Sequence, residues 1–133
     1  MPVYKYDHVH LRSADPDAMA AYFERLFGAT IGRGTYGAGT FYPGKPRVWV
    51  TLGGQTMLIA PSHHDEPTAA PPRFPYYGIE HIGLTVDDID AAVADLRAKG
   101  AEIFVGPMEY SAGTRLAFIR GPDGVVIEIV QRS

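Results

Sequence analysis

The stretch Glu80-His81-Ile82-Gly83-Leu84-Thr85-Val86-Asp87-Asp88 reads as a short strand running into an aspartate-started helix. It has an earlier echo, Asp7-His8-Val9-His10-Leu11-Arg12-Ser13. In both stretches an acid precedes a histidine, an apolar residue follows it, and a leucine stands three places after it. The segments that close the following helices are also alike, Leu26-Phe27-Gly28-Ala29-Thr30-Ile31 against Ala98-Lys99-Gly100-Ala101-Glu102-Ile103. From His8 to His81 is 73 positions and from Gly28 to Gly100 is 72, so one register relates both pairs with a single-residue slip. The pattern is that of an internal duplication of one strand-helix-strand unit.

Each copy continues in the same way. Val3 to Leu11 alternates as a strand, with Tyr4, Tyr6, His8, His10 and Arg12 on one face. Asp15-Pro16 opens a helix as cap and first residue. Met19, Tyr22, Phe23, Leu26 and Phe27 form its apolar stripe, and Gly28 stops it. Strands are predicted near 30–36, 47–52 and 55–60, the last two joined by the hairpin signal Gly53-Gly54. Residues 62–78, rich in proline, read as a linker or flap, with His63 and His64 as solvated loop residues. In the second copy Asp87 or Asp88 caps a helix buried through Ile89, Ala92, Val93 and Leu96. Strands follow near 102–105, 115–120 and 125–131, and Met108 to Thr114 reads as a mobile loop with Gly113 as a pivot. The expected organisation is one α+β domain over 1–133, with βαβββ modules at 3–61 and 79–131.

Composition narrows the chemistry. The 133 residues are 46% hydrophobic and 20% charged, ordinary globular values. A net charge of −3 gives no basic footprint for nucleic acid and no polybasic membrane patch. The expected partners are a small-molecule substrate and another copy of the chain. Without any cysteine, thiol catalysis, disulfides and thiolate metal sites are excluded, so metal chemistry must use His, Asp, Glu and water. No basic-apolar leader and no apolar run approaching ~18 residues is present, which gives a cytoplasmic protein as the expectation.

A carboxylate in the middle of the apolar strand Val125-Val126-Ile127-Glu128-Ile129-Val130 is costly to bury unless something positive meets it. If the halves pack with pseudo-twofold symmetry, His8, His81 and Glu128 turn toward a shared cleft. Two histidines and one carboxylate are the facial triad of a divalent metal with open positions. Taken singly, either histidine also fits a partly buried ring bound to a backbone carbonyl, and Glu128 an edge strand with its carboxylate in water. The equivalence of the two histidines in the repeat favours the triad.

These motifs, with Tyr22-Phe23-Glu24-Arg25-Leu26-Phe27-Gly28 and Ala117-Phe118-Ile119-Arg120-Gly121-Pro122-Asp123-Gly124-Val125-Val126-Ile127-Glu128-Ile129, resemble the vicinal oxygen chelate superfamily. That is the glyoxalase I, fosfomycin- and bleomycin-resistance, methylmalonyl-CoA epimerase and extradiol dioxygenase group. The resemblance covers nearly the whole chain and implies paired βαβββ modules in a curved mixed sheet around a cleft. It places metal ligands on His8, His81 and Glu128 for one divalent ion, Fe, Mn, Co, Ni or Zn. A further ligand position, Glu or Gln in glyoxalase I and in some epimerases, falls on Met57, with Gln55 two residues away on the same face. Arg12 matches an arginine that contacts a substrate carboxylate, whereas the arginine expected four residues before His81 is Tyr77. The departures at Met57 and Tyr77 weaken a glutathione-specific reading.

What the resemblance implies is a metal-dependent isomerase, epimerase or lyase acting on a small keto or acyl substrate through a metal-stabilised enolate. An iron(II) dioxygenase on the same triad is the alternative, and a fosfomycin-type transferase or a non-enzymatic drug-binding module are others. Glu128 and His10 are the candidate catalytic groups, with Glu109 also considered as a base. Arg12, Trp49 and Arg115 are candidate substrate contacts, Tyr36, Tyr42 and Tyr110 further lining. A homodimer is expected from the same resemblance.

Overall fold

The computed structural model describes all 133 residues, which divide into two compact units, Met1–Ala69 and Ala70–Ser133. The first runs β1 (His8–Arg12), α1 (Pro16–Phe27), β2 (Thr30–Thr35), β3 (Pro46–Leu52) and β4 (Gln55–Ala60). The second repeats it as β5 (Ile82–Thr85), α2 (Ile89–Ala98), β6 (Glu102–Ser111), β7 (Thr114–Arg120) and β8 (Val126–Arg132). Their four-stranded sheets have the orders β1-β4-β3-β2 and β5-β8-β7-β6. In each, the first strand lies parallel to the last and the remaining pairs are antiparallel. Two βαβββ modules with mixed sheets make the chain α+β.

Local chemistry sets these boundaries. Asp15 Oδ1 accepts from the Ala18 amide at 3.1 Å and Pro16 takes the first helical position, while Gly28 ends α1 at φ 72°. Met19, Ala20, Phe23 and Leu26 are buried, and α1 packs chiefly on β3. Each such large side chain taken out of water stabilises the unit by about 1.5–3 kcal/mol. Asp88 caps α2 from the Ala91 amide at 3.1 Å, and Gln131 Oε1 accepts from the Ile89 amide at 2.8 Å, tying the helix start to β8. Ile89, Val93 and Leu96 are its buried stripe, with Ala92 half-buried. Gly53 and Gly54, both at positive φ, close the β3–β4 hairpin in a conformation that other residues resist.

Two expectations about elements are corrected. β1 begins at His8, not Val3, because its partner β4 begins at Gln55 and offers nothing to pair with the earlier residues; Val3, Tyr4 and Tyr6 are exposed. The loop expected over 108–114 is instead a hairpin, with β6 and β7 paired to Ser111 and Thr114 and Gly113 in the turn at φ 79°. No helix is long and apolar enough to cross a membrane.

Candidate functional site

In the second unit, α2 covers one face of the sheet and the other face carries a groove, with Phe74 packed on Phe118 at 5.5 Å. The groove face is fixed by register. Gly83 pairs with Glu128, Phe118 with Glu128, Leu116 with Val130 and Thr114 with Arg132, so these side-chain positions share one side. They line a groove of about 560 Å³ with His81 at the Glu128 end and Met108, Tyr110 and Ser111 further along. That volume lies in the range of small-molecule sites. Glu128 is on an interior strand, not an edge, and 17% of its side chain is exposed, so the carboxylate is reached from the groove and not from bulk solvent at a sheet margin.

His81 stands just before β5, its ring edge-on to Phe118 at 5.1 Å. Its Nδ1 lies 2.9 Å from Glu80 Oε1. A carboxylate only accepts, so Nδ1 carries the hydrogen and a neutral ring presents the Nε2 lone pair. That lone pair faces Glu128 Oε2 at 3.7 Å, beyond a direct hydrogen bond. With a neutral ring these two atoms are both acceptors, an arrangement that a cation between them would satisfy; a proton on Nε2 would satisfy it too. Gly83 leaves the space beside the carboxylate empty; even a methyl group on it would make only ordinary contact, 3.7 Å from Glu128 Oε1.

The first unit carries the matching histidine arrangement. Asp7 Oδ2 lies 2.5 Å from His8 Nδ1, leaving Nε2 as the free acceptor. A carboxylate holding the far nitrogen is the usual companion of a metal-binding imidazole, because it fixes the tautomer and raises basicity. His10 pairs with Leu58 as Gly83 pairs with Glu128, so Leu58 occupies the place of the second unit's carboxylate. In neither unit do three His, Asp or Glu side chains gather as a metal cluster. The second unit itself offers two donors of the kind a divalent ion takes, the carboxylate-backed imidazole of His81 and the carboxylate of Glu128.

Other expected site residues are placed as follows. Met57 is buried and pairs with Val50 on the helix-side face, and Gln55 has the same parity; the expected fourth ligand position is therefore corrected to Leu58, which cannot ligate. His10 shares its face with His8, ring centroids 6.3 Å apart. Partial desolvation, then Arg12 and His8, hold its pKa below the ordinary histidine value. Arg12 donates to Tyr42 Oη at 2.6 Å and to the Pro61 carbonyl at 2.7 Å, anchoring the start of the following loop. Trp49 lies in the row His10, Leu58, Trp49, Gly32 with its indole flat on Gly32 and Arg47 over it at 5.0 Å.

Arg115 is corrected. It faces away from the groove, held by both oxygens of Asp90 on α2 at 2.9 and 3.1 Å, and Glu109 pairs beside it on that side. Tyr110 does line the groove, whereas Tyr42 is buried against Tyr36. His63 Nδ1 accepts from the amides of Asp65 and Glu66, a loop-forming role. The residue that sequence reasoning passed over is Arg132. Counting by twos from Glu128 through Val130 reaches it, and that parity was the available signal.

The chain matches the Glyoxalase/Bleomycin resistance protein/Dioxygenase superfamily over residues 5–129 and belongs to it. Human mitochondrial methylmalonyl-CoA epimerase is 29% identical over 134 aligned positions, covering 96% of this chain and 73% of that protein. A probable lactoylglutathione lyase of Synechocystis is 40% identical over 58 residues, 42% of this chain. That alignment spans 44% of the lyase, less than half its length. Among solved structures, a glyoxalase family protein from Bacillus cereus superposes with a TM-score of 0.79 at 21% identity, covering 99% of this chain and 96% of the other. The fosfomycin resistance protein of Listeria monocytogenes gives 0.69 at 15%, covering 99% and 94%. Both share the fold.

Proposed function

We propose that this protein is a divalent-metal-dependent isomerase, epimerase or lyase that moves a proton next to a carbonyl in a small keto or acyl substrate. The observation that carries the reading is that His81 Nε2 and Glu128 Oε2, two atoms able to ligate, stand 3.7 Å apart at the head of an apolar groove. His8, backed by Asp7 as His81 is by Glu80, is the third ligand, from the same chain or from a second copy. A bound divalent ion would supply charge stabilisation to a substrate oxygen as the α-proton departs.

The chain's own residues have separate tasks. Glu80 and Asp7 hold the two imidazoles in the ligating tautomer. Phe118, Leu116 and Val130 exclude water from the substrate body, which strengthens every charge interaction at the groove head. His10, whose pKa is lowered chiefly by partial desolvation, is the candidate proton acceptor. Likeness to the human epimerase along nearly the whole chain supports proton transfer over oxygen chemistry.

Metal content of the purified protein tests the reading, together with exchange of solvent deuterium into acyl-CoA thioesters and hydroxyketones. One equivalent of a divalent metal, and exchange lost in Glu128→Gln, are the expected results. A protein retaining no metal, or exchange unaffected in Glu128→Gln, would overturn it.

A further inference from the structure

The groove has a second end. Its rows are set by register, Phe118 with Glu128, Leu116 with Val130 and Thr114 with Arg132, so Arg132 stands two rows from Glu128. Four residues along an extended strand make that about 13 Å between backbones. Between the two ends the surface is apolar, and at the far end Arg132 is joined by the hydroxyl-bearing Tyr110, Ser111 and Thr114.

Arg132 differs from its neighbours on the same sheet. Arg115 is held by Asp90, and Arg120 by Glu102 with its guanidinium 4.2 Å over the Phe104 ring. Arg132 has no carboxylate partner, although it lines the groove. A cation at the mouth of an apolar trough, with hydroxyl donors beside it, complements an anion on the end of an apolar stem. No second lysine or arginine lines the groove, so the charge matched is single. The planar fork of a guanidinium fits a carboxylate in two parallel hydrogen bonds.

We propose that Arg132, with Tyr110 and Thr114, forms a carboxylate subsite, and that the substrate is an apolar-stemmed acid whose carboxylate and reacting end lie at opposite ends of this groove. This deepens the function proposed above and rests on it for one point only, that the reacting end lies at His81 and Glu128. The subsite selects and orients the substrate and takes no part in the bond changes.

Full-length protein, as purified and after chelation, is titrated with octanoate, its uncharged isostere octanamide, and octyl phosphate, and amide NMR shifts are followed. Octanoate is expected to bind at least tenfold tighter than octanamide, with shifts centred on Thr114, Leu116 and Arg132. Arg132→Gln is expected to reduce that ratio to within twofold, while Arg115→Gln leaves it intact. Equal binding of octanoate and octanamide, a preference that survives Arg132→Gln, or tighter binding of octyl phosphate than octanoate each overturns the carboxylate subsite. Metal content measured on the same samples separates the two readings. Glu128→Gln is expected to lose metal yet keep the octanoate preference, so failure of the metal site leaves the subsite result readable.

Discussion

Gly83 and Glu128 are partners in the parallel β5/β8 pair, and nothing larger than hydrogen stands on the strand beside the carboxylate. A methyl group there would make ordinary contact at 3.7 Å, whereas a branched side chain would cover the oxygen. Gly83→Ala is therefore expected to retain metal as the native chain does, and Gly83→Leu to lose about tenfold or more in affinity. Competition titration with a chromophoric chelator measures both, and equal affinities would show that the carboxylate is approached from elsewhere.

Glu80 and Asp7 act at one remove, through the imidazoles they hold. Removing such a partner typically costs 10–100-fold in metal affinity. Glu80→Gln and Asp7→Asn are expected to fall in that range with unchanged circular dichroism. A change below threefold in both would mean that the tautomers are set by something else.

The ion pair of Asp90 and Arg115 gives a pH dependence of known sign. The hydrogen bond from Arg115 is the main cause lowering the Asp90 pKa below its ordinary value. The folded chain thus keeps this carboxylate ionised where the unfolded chain has begun to protonate it. Its stabilisation is complete above the ordinary carboxylate value and is lost as pH falls through the lowered one. Melting temperature is expected to drop more steeply in native protein than in Asp90→Asn below about pH 4. The difference should shrink in 1 M salt, because both side chains are exposed.

The chain's one tryptophan reports on the first unit. A Cβ on Gly32 would fall 2.1 Å from Trp49 Cε2, so the rigid indole must leave its seat if alanine is placed there. Gly32→Ala is expected to shift Trp49 emission to the red and increase its quenching by acrylamide. Gly34→Ala, where the nearest indole atom would be 3.6 Å away, should change neither.

The duplication was readable because each repeat places its strand starts, caps and stops on residues that act locally: Asp15 and Asp88 as caps, Gly28 as a stop, Gly53-Gly54 as a hairpin. Strand parity carries the reading from Glu128 to its face, whereas the resemblance puts the further ligand position on Met57 and the register puts Leu58 there. The sequence supplies no correction, because the run Met57-Leu58-Ile59-Ala60 is apolar throughout and offers no alternation from which to choose a face. Arg115 failed for a different reason. Only the spatial approach of α2 supplies Asp90, 25 residues away in sequence, and no local pattern announces it. Tyrosines 4 and 6 alternate as a strand would, but a strand also needs a neighbour, and β4 is too short to give one.

The parallel pairing of first and last strands has a topological consequence. His8 is level with Thr56 and Arg12 with Ala60, so a module's two chain ends emerge at opposite borders of its sheet, about 13 Å apart along a five-residue strand. Circular permutation of either module would need a tether of roughly four or more extended residues laid along the sheet. A shorter splice would force the joined strands to antiparallel pairing and turn Glu128 or its counterpart onto the wrong surface.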